Sequence, residues 1–259
     1  MLSYTEVGQG PALVLLHAFP LDHTMWDDVA PALAAYGWRV ITPDLRGFGA
    51  SAGAARSIEE MADDVALLLD TLSEEAVVVG GCSMGGYVAM AFAANHRKRT
   101  AGLLCIDTKA SADGEDARAN RERIATQVLS SGSTEALAVT MPDTLLGATT
   151  RATLPEVVAS VQARIRAANP EGVAAAQRAM AARPDRTQML AGLHVPVLAL
   201  RGAEDVISSE ADNALIAESA HDSVTVTIPA CGHLPSLEAP GEFVTHVSKF
   251  LSRVLRPSC

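Results

Sequence analysis

Three residues of this chain are best equipped for chemistry, and they occur in the order serine, aspartate, histidine. Ser83 stands in Gly81-Cys82-Ser83-Met84-Gly85-Gly86, a G-x-S-x-G motif. An apolar run, Ala76–Gly80, precedes it, and a small-residue helical stretch, Tyr87–Asn95, follows. That strand–turn–helix setting holds a serine at a sharp turn with its hydroxyl exposed. The flanking glycines let strand and helix approach closely, and the helix N-terminus favours developing negative charge. A serine hydroxyl is a weak nucleophile until a base takes its proton. His233, in the loop Pro229–Pro235, is the candidate base. Asp205, just after the apolar run ending at Leu200, is the candidate acid, and Glu204 is its rival. The G-x-x-D turn favours Asp205. A carboxylate there would hold the imidazole in one tautomer and stabilise imidazolium. The chemistry such a set can do is nucleophilic acyl transfer.

Acyl transfer also needs donors for the oxyanion. The backbone N–H of Met84, directly after the serine, is one candidate. Phe19, in His17-Ala18-Phe19-Pro20 after another apolar run, supplies the second. Such a donor is worth roughly 3–4 kcal/mol when removed in comparable enzymes. His17 reads as an anchor for its loop. His96, His221 and His246 read as exposed helix or loop residues, His194 precedes a strand, and His23 lies in a loop. His17 and His23 have no third ligand at a recognisable spacing, so the reading contains no metal site and no cofactor.

These side chains need a scaffold. Apolar runs at Ala12–Leu16, Trp38–Thr42, Ala76–Gly80, Leu103–Asp107, Val195–Leu200 and Val224–Ile228 alternate with helical patterns. Continuous apolar strands of this kind predict an α/β fold with a mainly parallel central sheet flanked by helices. Met1–Glu6 and Ala12–Leu16, joined by Gly8-Gln9-Gly10, read as an edge hairpin. Ser57–Glu60 and Thr153–Glu156 spell capping boxes, and Asn169-Pro170 opens another helix. Trp26, Val29, Leu33 and Tyr36 line one helix; Phe243, Val247, Phe250 and Val254 line the last.

Residues 111–190 interrupt the alternation with helices alone. They predict an all-helical cap, with 1–110 and 191–259 forming the core domain. No Phe, Trp or Tyr occurs between Phe92 and Phe243, so the cap must line a pocket with aliphatic, methionine and polar side chains. Candidate substrate-binding residues are Ala18, Tyr87, Lys109, Met141, Leu145 and Met180. Residues 110–190 hold nine arginines and nine acids, whereas the whole chain has a formal charge of −10. Relative to the core the cap is basic, and a cap arginine or Lys109 could bind a substrate carboxylate.

The acidic balance argues against nucleic acid as a partner. No apolar run approaches the ~20 residues of a bilayer span, and the N-terminal residues do not read as a signal peptide. Cys82, Cys105, Cys231 and Cys259 show no close pairing. They read as free thiols in a reducing cytoplasm. The sequence does not give an oligomeric state.

Taken together, these segments resemble the α/β-hydrolase superfamily along nearly the whole chain. Asp44–Ser51 resembles its D-x-R-G-x-G-x-S loop, and His17–Pro20 its H-G-x-P loop with Ala18 in place of glycine. Asp205-Val206-Ile207-Ser208 lacks the proline often found after the acid. His17–Trp26, the Cys82–Tyr87 elbow and Asp107–Ala110 are similar to the 3-oxoadipate enol-lactonase-like and small carboxylesterase group. That resemblance implies opening of a lactone or cleavage of a small ester through an acyl-serine. The same machinery also fits cofactor-free perhydrolysis of the haloperoxidase kind and carbon–carbon bond hydrolysis. A binding protein or biosynthetic cyclase using the pocket alone is a third reading. Epoxide hydrolases of this superfamily use an aspartate nucleophile, where this elbow has Ser83.

Overall fold

The computed structural model describes residues 1–255, so Cys259, one of the thiols read as free, lies outside the described residues. Seven strands form one sheet: β1 (Tyr4–Val7), β2 (Ala12–Leu16), β3 (Arg39–Pro43), β4 (Val77–Cys82), β5 (Thr100–Ile106), β6 (Val197–Gly202) and β7 (Ser223–Ile228). Their spatial order is β1-β3-β2-β4-β5-β6-β7. Only β1, against β3, is antiparallel. Each of the six apolar runs has become a strand. Every residue of β2, β4 and β6 is buried, as a sheet covered on both faces requires.

The expected edge hairpin does not form. β1 pairs with β3, from Tyr4 opposite Pro43 to Val7 opposite Val40, and β2 lies between β3 and β4. The reason is burial. The wholly apolar β2 needs a neighbour on each side, while β1, with Thr5, Glu6 and Val7 exposed, suits an edge. Gly8 carries the chain across the top of β3's approach at φ +86°; a Cβ there would lie 2.3 Å from the Trp38 carbonyl.

Helices α1 (Ala30–Ala34), α2 (Ile58–Thr71) and α3 (Met84–Asn95) belong to the first half of the sheet. The helix expected over Trp26–Tyr36 is broken. His23–Trp26 is a 3-10 turn, α1 starts beside Pro31, and Tyr36 is exposed. Ser57 caps α2 by accepting from the Glu60 N–H at 3.1 Å. The return arm of that box is absent among the described residues, because the Glu60 carboxylate turns to Arg56.

Between β5 and β6 lie α4 (Glu115–Ser131), α5 (Glu135–Thr140), α6 (Pro142–Leu145), α7 (Ala148–Thr153), α8 (Pro155–Ala167), α9 (Pro170–Ala182) and α10 (Thr187–Ala191), with no strand among the described residues of that stretch. The second expected capping box is not made: Thr153 ends α7, and Pro155 starts α8 with Leu154 at the cap. Proline's preset φ and missing N–H set that start instead. Asn169 does cap α9, accepting from Glu171 and Gly172. The one reciprocal box among the described residues uses aspartate, Ser209 with Asp212, before α11 (Glu210–Ser219). The helices α12 (Pro235–Glu238) and α13 (Pro240–Val254) follow β7.

The inserted helices rest on the core at small residues. A Cβ on Gly172 of α9 would lie 2.0 Å from the Gly47 carbonyl. Arg164 of α8 donates from Nε to Thr24 Oγ1 at 2.8 Å. Among the described residues, no helix is long and apolar enough to cross a membrane.

Candidate active site

Ser83 sits between the end of β4 and the start of α3 at φ +55°, ψ −112°. This conformation is costly for a residue with a Cβ and persists only when its surroundings impose it. They do so here. The Ser83 N–H donates to the Ile106 carbonyl at 2.9 Å. The Ser83 carbonyl accepts from Gly86 N–H, Tyr87 N–H and Thr108 Oγ1. The motif glycines are required by contact: a Cβ on Gly81 would meet the Gly85 backbone at 2.2 Å, and one on Gly85 the Leu16 carbonyl at 2.1 Å.

His233 is buried in the loop after β7, its N–H donating to the Leu145 carbonyl at 3.0 Å. Its Nδ1 lies 2.9 Å from Asp205 Oδ2. Against an ionised carboxylate Nδ1 carries the proton, which leaves a lone pair on Nε2. That Nε2 is buried without a hydrogen-bond partner among the described residues. Ser83 and His233 line the same cavity, but no hydrogen bond joins them.

Asp205 Oδ1 accepts from the Ile207 N–H at 2.8 Å, and Oδ2 accepts from both the N–H and Oγ of Ser208. Burial pushes the Asp205 carboxyl up, but the charge of His233 and the hydrogen bonds from His233 and Ser208 outweigh it. The group is held well below the ordinary carboxylate range. Glu204, the rival acid, faces away and accepts from the N–H and Oγ1 of Thr149 at 2.8 and 2.5 Å.

A second acid stands beside this pair. Asp107, just past β5 at φ +42°, is 1% exposed, and its Oδ1 accepts from the Gly202 N–H at 2.9 Å. Burial, then the charge of Asp205, pushes its carboxyl well above the usual carboxylate range, and its Oδ2 is buried without a hydrogen-bond partner among the described residues. Ligand atoms of Asp107, Asp205 and His233 lie within 4.8 Å of one another. Sequence reasoning takes Asp107 only as the approach to the cap. The available clue is an acid at the buried C-terminal end of a strand, the same clue that singles out Asp205.

Glu238 is a second residue that sequence reasoning misses. Its buried carboxylate accepts from the N–H groups of Gly147, Gly232 and Leu234 at 2.8, 3.0 and 3.0 Å. It therefore ties the His233 loop to the inserted helices. All three of its partners are backbone, so side-chain types give no hint of the contact.

His17 anchors its loop, as its sequence setting suggests. The Leu45 N–H donates to its Nε2 at 2.9 Å, so Nδ1 bears the proton and donates to the Ala18 carbonyl at 3.0 Å. Burial holds its pKa below the usual value, consistent with a neutral ring. The N–H groups of Phe19 and Met84 have no acceptor among the described residues; Met84 directly follows the serine, and Phe19 lines the same cavity.

The cavity over Ser83 holds about 280 Å³. Phe19, Tyr87, Ile207 and His233 enter from the core, and Met141, Leu145 and Met180 from the inserted helices. Two expected pocket residues are elsewhere. Lys109 faces a separate small crevice, with Nζ 3.6 Å from Asp212 Oδ2, because the turn after β5 directs it toward α11. Ala18 is wholly buried in its loop, its N–H donating to Met25 Sδ and its carbonyl accepting from Leu21 N–H. Arg121, Asn120, Thr144 and Gln177 also line the cavity, and no motif in the sequence marks them.

A seven-stranded sheet with one antiparallel edge, a strand–serine–helix elbow and an acid–histidine pair at neighbouring strand ends define an α/β hydrolase. The family model for the alpha/beta hydrolase fold matches residues 11–240, and the chain belongs to that family. An esterase from Thermogutta terrifontis, solved with malate bound, superposes with a TM-score of 0.95 at 41% identity, covering 98% of this chain and 94% of that one. The enol-lactonase from Burkholderia xenovorans LB400 gives 0.89 at 27%, covering 97% and 96%. The pimeloyl-[acyl-carrier protein] methyl ester esterase of Aeromonas hydrophila is 31% identical over 96% of this chain and 99% of its own length. Other curated relatives, an epoxide hydrolase among them, are matched over only 29–35% of their length. Relatives and structural neighbours are esterases, lactonases and other hydrolases of this superfamily.

Proposed function

We propose that the protein is a serine hydrolase that cleaves a small carboxylic ester or lactone through an acyl-serine. The observation that carries this reading is one cavity. Ser83 lines it at positive φ together with His233, whose Nε2 has no partner among the described residues while Nδ1 is held by Asp205. Ser83 Oγ attacks the carbonyl carbon, and its proton passes to His233 Nε2. The carbonyl oxygen becomes an oxyanion held by the N–H groups of Phe19 and Met84. The carbon–oxygen bond to the leaving group then breaks, the leaving oxygen takes the proton from His233, and an acyl-serine remains. Water attacks the acyl carbon, losing its proton to Nε2. Collapse returns that proton to Ser83 Oγ and releases the acid. The Ser83–His233 hydrogen bond absent without substrate is one that closes as the reactive complex forms.

On this reading residues 111–190 are a cap over the sheet, and the cavity beneath it suits a small molecule. At about 280 Å³, it lies at the lower edge of the ~300–1,000 Å³ usual for ligand pockets. A cytoplasmic location fits the buried free thiols of Cys82, Cys105 and Cys231; fractionation of the producing cells tests it. A fluorophosphonate probe should label the protein at Ser83, and Ser83→Ala should abolish both labelling and turnover of a p-nitrophenyl ester and lactone panel. Labelling that persists in the variant would overturn the assignment.

A further inference from the structure

The cavity carries a charge pattern that the hydrolytic reaction does not need. Among the described residues, Arg121, on α4, is its one permanently charged lining residue, and no carboxylate lines it. Arg121 Nε donates to Asp113, while Nη1 donates to Gln177 Oε1 at 3.1 Å and to Met180 Sδ at 3.4 Å. Its Nη2 makes no hydrogen bond among the described residues and is not enclosed, so a residue that lines the cavity keeps two unengaged N–H groups.

Asp113 does not neutralise this end of the pocket. It is shared with Arg183, whose Nη1 lies 2.8 Å from Asp113 Oδ1 and whose guanidinium stacks 3.9 Å over the Tyr87 ring. Two guanidiniums against one carboxylate leave a net charge of +1. Burial pushes Asp113 up, yet its bonds and charge contacts with Arg121 and Arg183 hold it below the usual range, so that count stands at neutral pH. Two further carboxylates near the site are engaged elsewhere: Asp205 lies on the Nδ1 side of His233, and Glu238 binds the N–H groups of Gly147, Gly232 and Leu234.

We propose that Arg121 binds a carboxylate carried by the substrate, so that the protein acts on monoesters of short dicarboxylic acids or on lactones bearing a carboxylate. This rests on the serine-hydrolase reading of the same cavity. The guanidinium fork matches a carboxylate geometrically, and the Asp113–Arg183 contacts hold the fork in place. Thr144 and Asn120 line the same cavity and offer further hydrogen-bonding groups to such a substrate.

The test compares kcat/KM for the monomethyl esters of succinate, glutarate and adipate with neutral isosteres in which an isopropyl group replaces the carboxylate. Wild type should favour the best acid ester over its isostere by about tenfold to a hundredfold, the weight of a hydrogen bond to a charged group. Arg121→Gln should bring that ratio toward one, and Arg121→Lys should restore part of it. Asp113 keeps Arg183 in either variant, so the fold is retained; thermal melts check this. A second arm does not depend on turnover. Glutarate should raise the melting temperature of Ser83→Ala and fail to raise that of Ser83→Ala/Arg121→Gln. A wild-type ratio near one, a ratio that survives Arg121→Gln, or equal thermal shifts would each overturn the proposal. Absence of any ester turnover would instead count against the parent reading, leaving the thermal arm to decide on Arg121.

Discussion

Replacing Asp107 by asparagine separates two buried carboxyls whose pKa values are pushed in opposite directions. Burial, then the charge of Asp205, raises the pKa of Asp107 well above the usual carboxylate range in the folded protein. In the unfolded chain its pKa returns to ~3.9, so above about pH 5 only the native state binds that proton. A group whose folded pKa is raised contributes stability that is full below the unfolded pKa and fades as pH rises toward the folded one. With one proton bound in the native state and none in the unfolded, wild type loses about 1.4 kcal/mol per pH unit from this group. The asparagine side chain cannot titrate. It still offers an oxygen to the Gly202 N–H, the one side-chain bond that the acid makes among the described residues. Asp205 is ionised in both proteins over this window and drops out of the difference. From pH 5 upward, Asp107→Asn should therefore gain on wild type, by up to about 1.4 kcal/mol per pH unit for as long as the folded-state acid keeps its proton. Urea unfolding at pH 5, 6 and 7, with a common m-value, measures that gap. Parallel stability curves would show that Asp107 is ionised in the folded state and refute the reasoning. Activity adds a second check, since a variant preserving the Gly202 bond should keep kcat within a few-fold.

Two further substitutions probe how the site is held. Glu238→Gln places an amide N–H against one of the three backbone N–H groups now bound by the carboxylate. It should cost roughly 1.5–3 kcal/mol in denaturant unfolding and lower kcat through the loosened His233 loop; an unchanged midpoint and kcat would remove Glu238 from the support of that loop. Gly85→Ala puts a Cβ 2.1 Å from the Leu16 carbonyl, a backbone atom in the sheet. It should lower the melting temperature sharply and abolish probe labelling of Ser83, and a wild-type melting curve would contradict the close packing of elbow on sheet.

Which residues are readable follows from what positions them. Ser83 and Asp205 follow apolar runs that form wholly buried strands, and His233 follows β7, an edge strand of which only Ile228 is buried, so each residue falls beyond a strand end. Neighbourhood in sequence is a poorer guide where side-chain direction matters. Lys109 lies two residues beyond Asp107, yet one faces α11 and the other the His233–Asp205 pair. The inserted helices are harder still. On α4 only Ala125 and Val128 are buried, too few to mark an inward face, and Arg121 is turned to the cavity by Asp113 and Gln177, partners off the helix itself. Residue type fails at a finer level too. Asp107 and Asp205 are both aspartates just past adjacent, buried strands. Asp205 meets His233 and Ser208, which hold its pKa down; Asp107 meets one N–H and the charge of Asp205, and burial pushes its pKa up. The G-x-x-D turn marks Asp205 alone, and the partners brought by the loops after β6 and β7 place that aspartate, and not Asp107, on the histidine's Nδ1.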